Sequence, residues 1–141
     1  MADQTERRRF LRFPVYCPLQ YRCESKKMRD ESITLNISEG GALVSTREPI
    51  DIGTDIAVRI CLSRGVFFIT ASVRHIRKES EGGPYNVGIE FKEQTPDFTR
   101  GFNEEMGALS LYQRQLCDEE DREISLTEAS MKWYKDSPAW F

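Results

Sequence analysis

No apolar run in the chain approaches the roughly 20 residues that a bilayer-spanning helix needs, and the charged start from Met1 to Arg12 has no apolar stretch behind it. Neither membrane insertion nor secretion is expected, and the setting that follows is a cytoplasmic one with reduced thiols. Histidine is nearly missing, with His75 the single example. The four cysteines, Cys17, Cys23, Cys61 and Cys117, form no C-x-x-C pair, so a zinc site lacks both ligands and spacing. G-x-S-x-G, P-loop, H-E-x-x-H and dinucleotide fingerprints are absent, and the carboxylate pairs fall in charge runs that read as solvated faces. His75, alternating with apolar neighbours, reads as a structural or solvent-facing strand residue. Without a nucleophile, base or metal set, the expectation is a binding module, not an enzyme, with no catalytic residues and no cofactor.

What is present suits one soluble domain: a 141-residue chain can bury roughly 68–70% of its unfolded surface and needs no disulfide for a core. The net charge of −3 argues against DNA or RNA as the main partner, since phosphate binding needs a broad basic surface. That charge is unevenly spread. Residues 1–94 carry 15 basic and 13 acidic side chains, residues 95–141 only 5 basic and 10 acidic, so the two segments have different surfaces. The positive charge concentrates in Arg7-Arg8-Arg9-Phe10-Leu11-Arg12, an arm that is either solvated or suited to an anion.

From Val15 to Lys92 the apolar pattern has period two, as half-buried antiparallel strands do. Six strands are expected, near residues 15–22, 32–37, 42–45, 55–62, 67–76 and 85–92. One inner face would comprise Ile33, Leu35 and Ile37, then Ile56, Val58, Ile60 and Leu62, then Phe67, Ile69, Ala71 and Val73, then Val87, Ile89 and Phe91. Glu39-Gly40-Gly41, Gly53-Thr54, Ser63-Arg64-Gly65 and Gly82-Gly83-Pro84 supply turns. Short strands with no helices between them mean a small antiparallel barrel or sandwich.

At Thr95-Pro96-Asp97 the period changes, because a cap, a proline at the first helical position and an acidic first turn start a helix. Phe98, Phe102, Met106, Leu109, Tyr112 (or Gln113) and Leu116 then form one stripe, expected to pack on the barrel. Asp118-Glu119-Glu120-Asp121 ends it, and Ser125 with Glu128 reads as the capping box of a shorter helix. The aromatics Trp133, Tyr134, Trp140 and Phe141 exceed what a small barrel needs and suggest a protein contact, through a partner or a weak dimer of an otherwise monomeric chain.

Two short constellations carry the binding chemistry: Arg8-Arg9-Phe10-Leu11-Arg12, an R-x-x-x-R spacing, and Asn36-Ile37-Ser38-Glu39-Gly40-Gly41, a D/N-x-S-x-x-G turn. With the later Asn86-Val87-Gly88-Ile89-Glu90-Phe91 strand they resemble, in this order and over residues 6 to about 92, the PilZ domain family of bacteria. The resemblance implies a mainly β fold, a six-stranded antiparallel barrel, and binding of cyclic di-GMP. The domains expected along the chain are an arginine-rich arm (1–14), a barrel (15–94) and a helical extension (95–141), the last beyond the reach of the resemblance. Arg8 and Arg12 match the motif arginines, Asn36, Ser38 and Gly41 the turn, while Arg7 and Arg9 flank the arm.

The residue chemistry fits such a ligand. Arginine pairs bidentately with phosphate oxygens and with guanine O6 and N7, and its plane stacks on bases. Asn36 can accept from a guanine N–H, Ser38 offers a small hydroxyl, and Gly40-Gly41 lets backbone approach without a Cβ. Arg74 is the candidate for further base stacking. Nothing but Glu6 offsets the arm's arginines, so the arm is expected to be unfixed until an anion bridges it to the turn. The function expected is a receptor or adaptor in second-messenger signalling, of the motility or biofilm kind, read by a partner protein. The competing expectation is a PilZ-like scaffold that meets a motility or pilus component and ignores nucleotide.

Overall fold

The computed structural model describes residues 10–24 and 28–135. Six strands, β1 (Pro18–Cys23), β2 (Met28–Ile37), β3 (Gly41–Thr46), β4 (Asp55–Leu62), β5 (Gly65–Lys78) and β6 (Tyr85–Phe91), precede α1 (Pro96–Glu120) and α2 (Leu126–Lys135). The strands close into an all-antiparallel barrel in the order β1-β2-β3-β6-β5-β4. Closure leaves no strand edge unpaired.

The alternation holds where it is uninterrupted. Ile56, Val58, Ile60 and Leu62 on β4, Ile69, Ala71 and Val73 on β5, and Val87, Ile89 and Phe91 on β6 are all buried in one core. In β2 the expectation fails. Ile33 and Leu35 are only half buried, and Thr34 faces inward, fully buried. The cause is a bulge between Thr34 and Asn36, whose extra residue lets Thr34 and Ile37 both point in. Thr34 uses its hydroxyl there, donating to the Val15 carbonyl at 2.6 Å and accepting from the Cys17 N–H at 2.9 Å. These bonds hold Val15–Cys17, expected as strand, in an irregular lead into β1.

α1 starts where the cap requires: Thr95 Oγ1 accepts from the Phe98 N–H at 3.1 Å with Pro96 at the first helical position. Its stripe packs on one end of the barrel. Phe98 meets Phe67 and Phe91 edge-on, with ring centroids 5.6 Å away in each case, and Phe13 meets Phe102 at 5.8 Å. Each buried ring stabilises by about 1.5–3 kcal/mol, with about 0.5–1.5 more for each aromatic pair.

α2 begins as the capping box predicts, Ser125 Oγ accepting from the Glu128 N–H at 3.0 Å. Two bonds tie it to the lead of β1: Ser130 Oγ accepts from the Tyr16 N–H at 2.9 Å, and Thr127 Oγ1 donates to the Pro14 carbonyl at 2.6 Å. The third tie is Glu105, a fully buried carboxylate on α1. It accepts from the Ser63 N–H (2.9 Å), the Ser63 hydroxyl (2.7 Å), the Trp133 indole N–H (3.2 Å) and the Tyr134 hydroxyl (2.8 Å). Trp133 also meets the Tyr112 ring edge-on at 5.1 Å. Trp133 and Tyr134 are thus occupied within the chain, correcting the expectation that they form an outward contact, while Trp140 and Phe141 lie outside the described residues. Burial pushes both the Tyr134 phenol and the Cys17 thiol well above their ordinary values. No helix is long and apolar enough to cross a membrane among the described residues.

Candidate ligand-binding site

An open groove of about 800 Å³ lies across β3, β6 and β5. Phe10 and Arg12 border it from the arm, Ser38, Gly40 and Gly41 from the β2–β3 turn, Arg74 and His75 from β5, and Gly88 to Lys92 from β6 and its end. The two sequence constellations therefore meet in space.

The arm is held by ordinary strand chemistry at its inner end. The Phe13 N–H donates to the Ile37 carbonyl at 2.8 Å, and the Ile37 N–H returns a bond to the Phe13 carbonyl at 3.0 Å. This places Arg12 beside Asn36, whose Oδ1 accepts from Arg12 Nη1 at 3.3 Å. Asn36 thereby orients the arginine and does not itself line the groove. The sequence suggested no partner for the arm, and the structure gives residues 10–13 three: Phe13 bonds Ile37, Arg12 bonds Asn36, and Phe10 lies against Gly40. Arg7, Arg8 and Arg9 lie outside the described residues.

Ser38 builds the turn. Its hydroxyl accepts from the Gly40 N–H at 3.1 Å and donates to the Gly41 carbonyl at 3.3 Å, and its N–H donates to that same carbonyl at 2.8 Å. The glycines make room for the chain's own atoms: a Cβ on Gly40 would sit 2.5 Å from the Phe10 ring, and one on Gly41 would sit 2.3 Å from the Ile89 carbonyl oxygen. Gly40 seats the arm through Phe10, and Gly41 seats β3 against β6.

A second bulge, between Val73 and His75, re-aims β5 so that Arg74 and His75 are both exposed on the groove side. Arg74 Nε stands 3.6 Å from Glu90 Oε1, both side chains well exposed, a pairing worth about 0–1 kcal/mol that a stronger anion can displace. Lys92 is paired with Asp55 at 2.9 Å. His75 lies directly over Gly88: a Cβ there would be 2.1 Å from His75 Cε1, so the imidazole covers the strand backbone. Sequence reasoning passed over His75 and Phe10. The signal for His75 was Gly88, since a glycine inside a strand marks a close approach. What the arrangement offers is guanidinium groups, backbone amides of a tight turn and two flat rings around one groove. Among the described residues no group of three His, Cys, Asp or Glu side chains could hold a metal ion.

A family model described as the PilZ domain matches residues 6–101. The chain belongs to the PilZ domain family. The match takes in the arm, the whole barrel and the first residues of α1, leaving the rest of α1 and α2 outside. No curated protein matches the chain. Among solved structures it is similar to YcgR from Escherichia coli in complex with c-di-GMP, with 16% identity and TM-score 0.67 over 81% of this chain and 50% of that one. The separate PilZ domain of YcgR with c-di-GMP shows 18% identity and TM-score 0.57, over 82% of this chain and 98% of that one. The Bacillus subtilis inhibitor of motility MotI/DgrA shows 19% identity and TM-score 0.59, over 71% of this chain and 52% of that one. The PilZ chain thus spans about half the length of MotI and of full YcgR, and at these identities the likeness is one of fold.

Proposed function

We propose that this PilZ chain is a non-catalytic receptor for cyclic di-GMP, and that the nucleotide-bound surface of arm and turn is read by a partner protein. The observation that carries the reading is the meeting of Arg12, the Ser38–Gly41 turn and Arg74 around one groove of about 800 Å³, within the range of small-molecule sites. The crystallised relatives with c-di-GMP support the same ligand class. Arg12, oriented by Asn36, and Arg74, released from Glu90, supply the planar cations for phosphate and guanine. Arg7, Arg8 and Arg9 complete the cationic set. Gly40 and Gly41 offer backbone, and the His75 ring offers a stacking face. The helices α1 and α2 then act as an extension that closes one end of the barrel.

Calorimetric titration with cyclic di-GMP, against GMP as control, tests this. Tight binding of the cyclic dinucleotide and weak binding of GMP are expected. Arg8→Ala and Arg12→Ala should each cost roughly 2–5 kcal/mol, about 30-fold or more in affinity. His75→Ala should cost about 1–3 kcal/mol, with His75→Phe retaining most of the affinity. Unchanged affinity in both arginine variants would put the site elsewhere, and a wild-type chain that binds no cyclic di-GMP would be a scaffold of PilZ fold.

A further inference from the structure

The pair β1–β4 lies opposite the pair β3–β6 in the order of the closed barrel, and its outer wall adjoins the nucleotide groove only along β5. That wall has its own depression of about 310 Å³. The strand register explains it. Arg29, Arg22 and Ala57 stand side by side across β2, β1 and β4, and the next outward row places Glu31, Gln20, Arg59 and Phe68 across β2, β1, β4 and β5, the Glu31 carboxylate at its rim accepting from Gln20 Nε2 at 3.0 Å. Ala57, the one short side chain, forms the floor between arginines and phenylalanine.

Two features have no structural use. Phe68 is 77% exposed, the most exposed large apolar side chain among the described residues, on a strand whose opposite face is core. Arg22 and Arg29 stand directly opposite each other, and like charges in that position destabilise a strand pair. Their countercharge is incomplete. Arg22 pairs with Glu24 at 2.6 Å, but among the described residues no carboxylate lies within 4 Å of Arg29 or Arg59. Among the described residues Arg59 bonds two neutral atoms, Gln20 Oε1 at 3.2 Å and Cys61 Sγ at 3.5 Å. An exposed aromatic ring beside underused arginines is the composition of an interface hot spot.

We infer that this wall docks an acidic segment of a partner protein, one that sets carboxylates on Arg22, Arg29 and Arg59 and an apolar side chain against Phe68 over Ala57. The closed barrel has no free edge, so recognition must come from side chains and not from an added strand. Guanidinium forks fit carboxylates bidentately. A nucleic-acid backbone fits less well, because the cations form a compact cluster around an apolar floor on a chain of net charge −3. The wall and the nucleotide groove both border β5 but share no lining residue, so both can be filled at once.

The test uses the full chain and fluorescence anisotropy with three labelled probes: a short peptide of Asp-Leu-Glu repeats, its Lys-Leu-Lys counterpart, and a short single-stranded DNA. Saturable binding of the acidic peptide alone is expected, weakened at least about tenfold by Arg59→Glu and by Phe68→Ala. Both variants should keep the wild-type melting temperature. The inference is overturned if the acidic peptide fails to bind, if both variants bind it as wild type does, or if the basic peptide or the DNA binds more tightly. It is also overturned if light scattering shows self-association that Arg59→Glu abolishes, since the occupant would then be a second copy.

Discussion

Replacing Glu105 should undo the junction between α1, α2 and the β4–β5 turn. In the folded chain its carboxylate is fully buried and accepts four hydrogen bonds, from Ser63 twice, Trp133 and Tyr134. Glu105→Ala removes every acceptor at once. Ser63 is exposed and recovers its bonds from water, so the loss concentrates on the Tyr134 hydroxyl, on a residue only 4% exposed, and on the half-buried Trp133 indole. A stranded buried donor costs about 1–3 kcal/mol, and the missing side chain leaves a cavity besides, for roughly 3–5 kcal/mol in all. For a domain of this size that is a drop of about 10–20 °C in Tm. Glu105→Gln keeps one carbonyl acceptor but turns an amide N–H₂ toward donors, so about 2–3 kcal/mol should be lost. Urea unfolding followed by tryptophan fluorescence reads both, since Trp133 sits at the junction. Tyr134→Phe on the wild-type and Glu105→Gln backgrounds closes a double-mutant cycle, and a coupling above about 0.5 kcal/mol is expected for groups in direct contact. A loss below about 1 kcal/mol for Glu105→Ala, with zero coupling to Tyr134, would refute the claim that this carboxylate anchors α2.

Gly41→Ala sets a Cβ against a backbone carbonyl at 2.3 Å, and backbone cannot swing aside, so a loss of about 1–3 kcal/mol in denaturant unfolding is expected. Gly88→Ala meets the movable His75 ring first; it should lower cyclic di-GMP affinity more than stability, as calorimetry beside a melting curve can show. The hydrogen bond from Arg47 holds the Asp30 carboxyl below its ordinary value of 3.8, so the folded chain gives up this proton more readily than the unfolded one. That contribution is complete above pH 3.8 and fades as the pH falls through the lower folded value; the stability gap between wild type and Asp30→Asn should therefore be widest near neutrality and close in acid. Hydrogen exchange without ligand should find the Phe13 amide protected by its bond to Ile37.

How far the sequence reached depends on whether a residue's role is local. β4 runs over Asp55–Leu62 as the unbroken alternation predicts, and α1 starts at Pro96 as its cap predicts, because period and capping are decided by neighbours in the chain. The two motifs were legible for a similar reason: the arm ends where β2 can hold it, and Ser38 closes its own turn within three residues.

Tertiary structure alone decided the rest. Ile33 and Leu35 alternate correctly and still face outward, since the bulge before Asn36 inverts the side of every residue N-terminal to it. Glu105, beside Glu104 in what reads as a charged helix face, becomes a buried anchor only because Ser63, Trp133 and Tyr134 converge on it from other elements. His75 joins the groove because a β5 bulge turns it over Gly88. Arg22 and Arg29 are seven positions apart in the chain, and only the hairpin register makes them face each other. Sequence fixes what each segment wants to be; which side chains meet is a property of strand register, which a single extra residue can reverse.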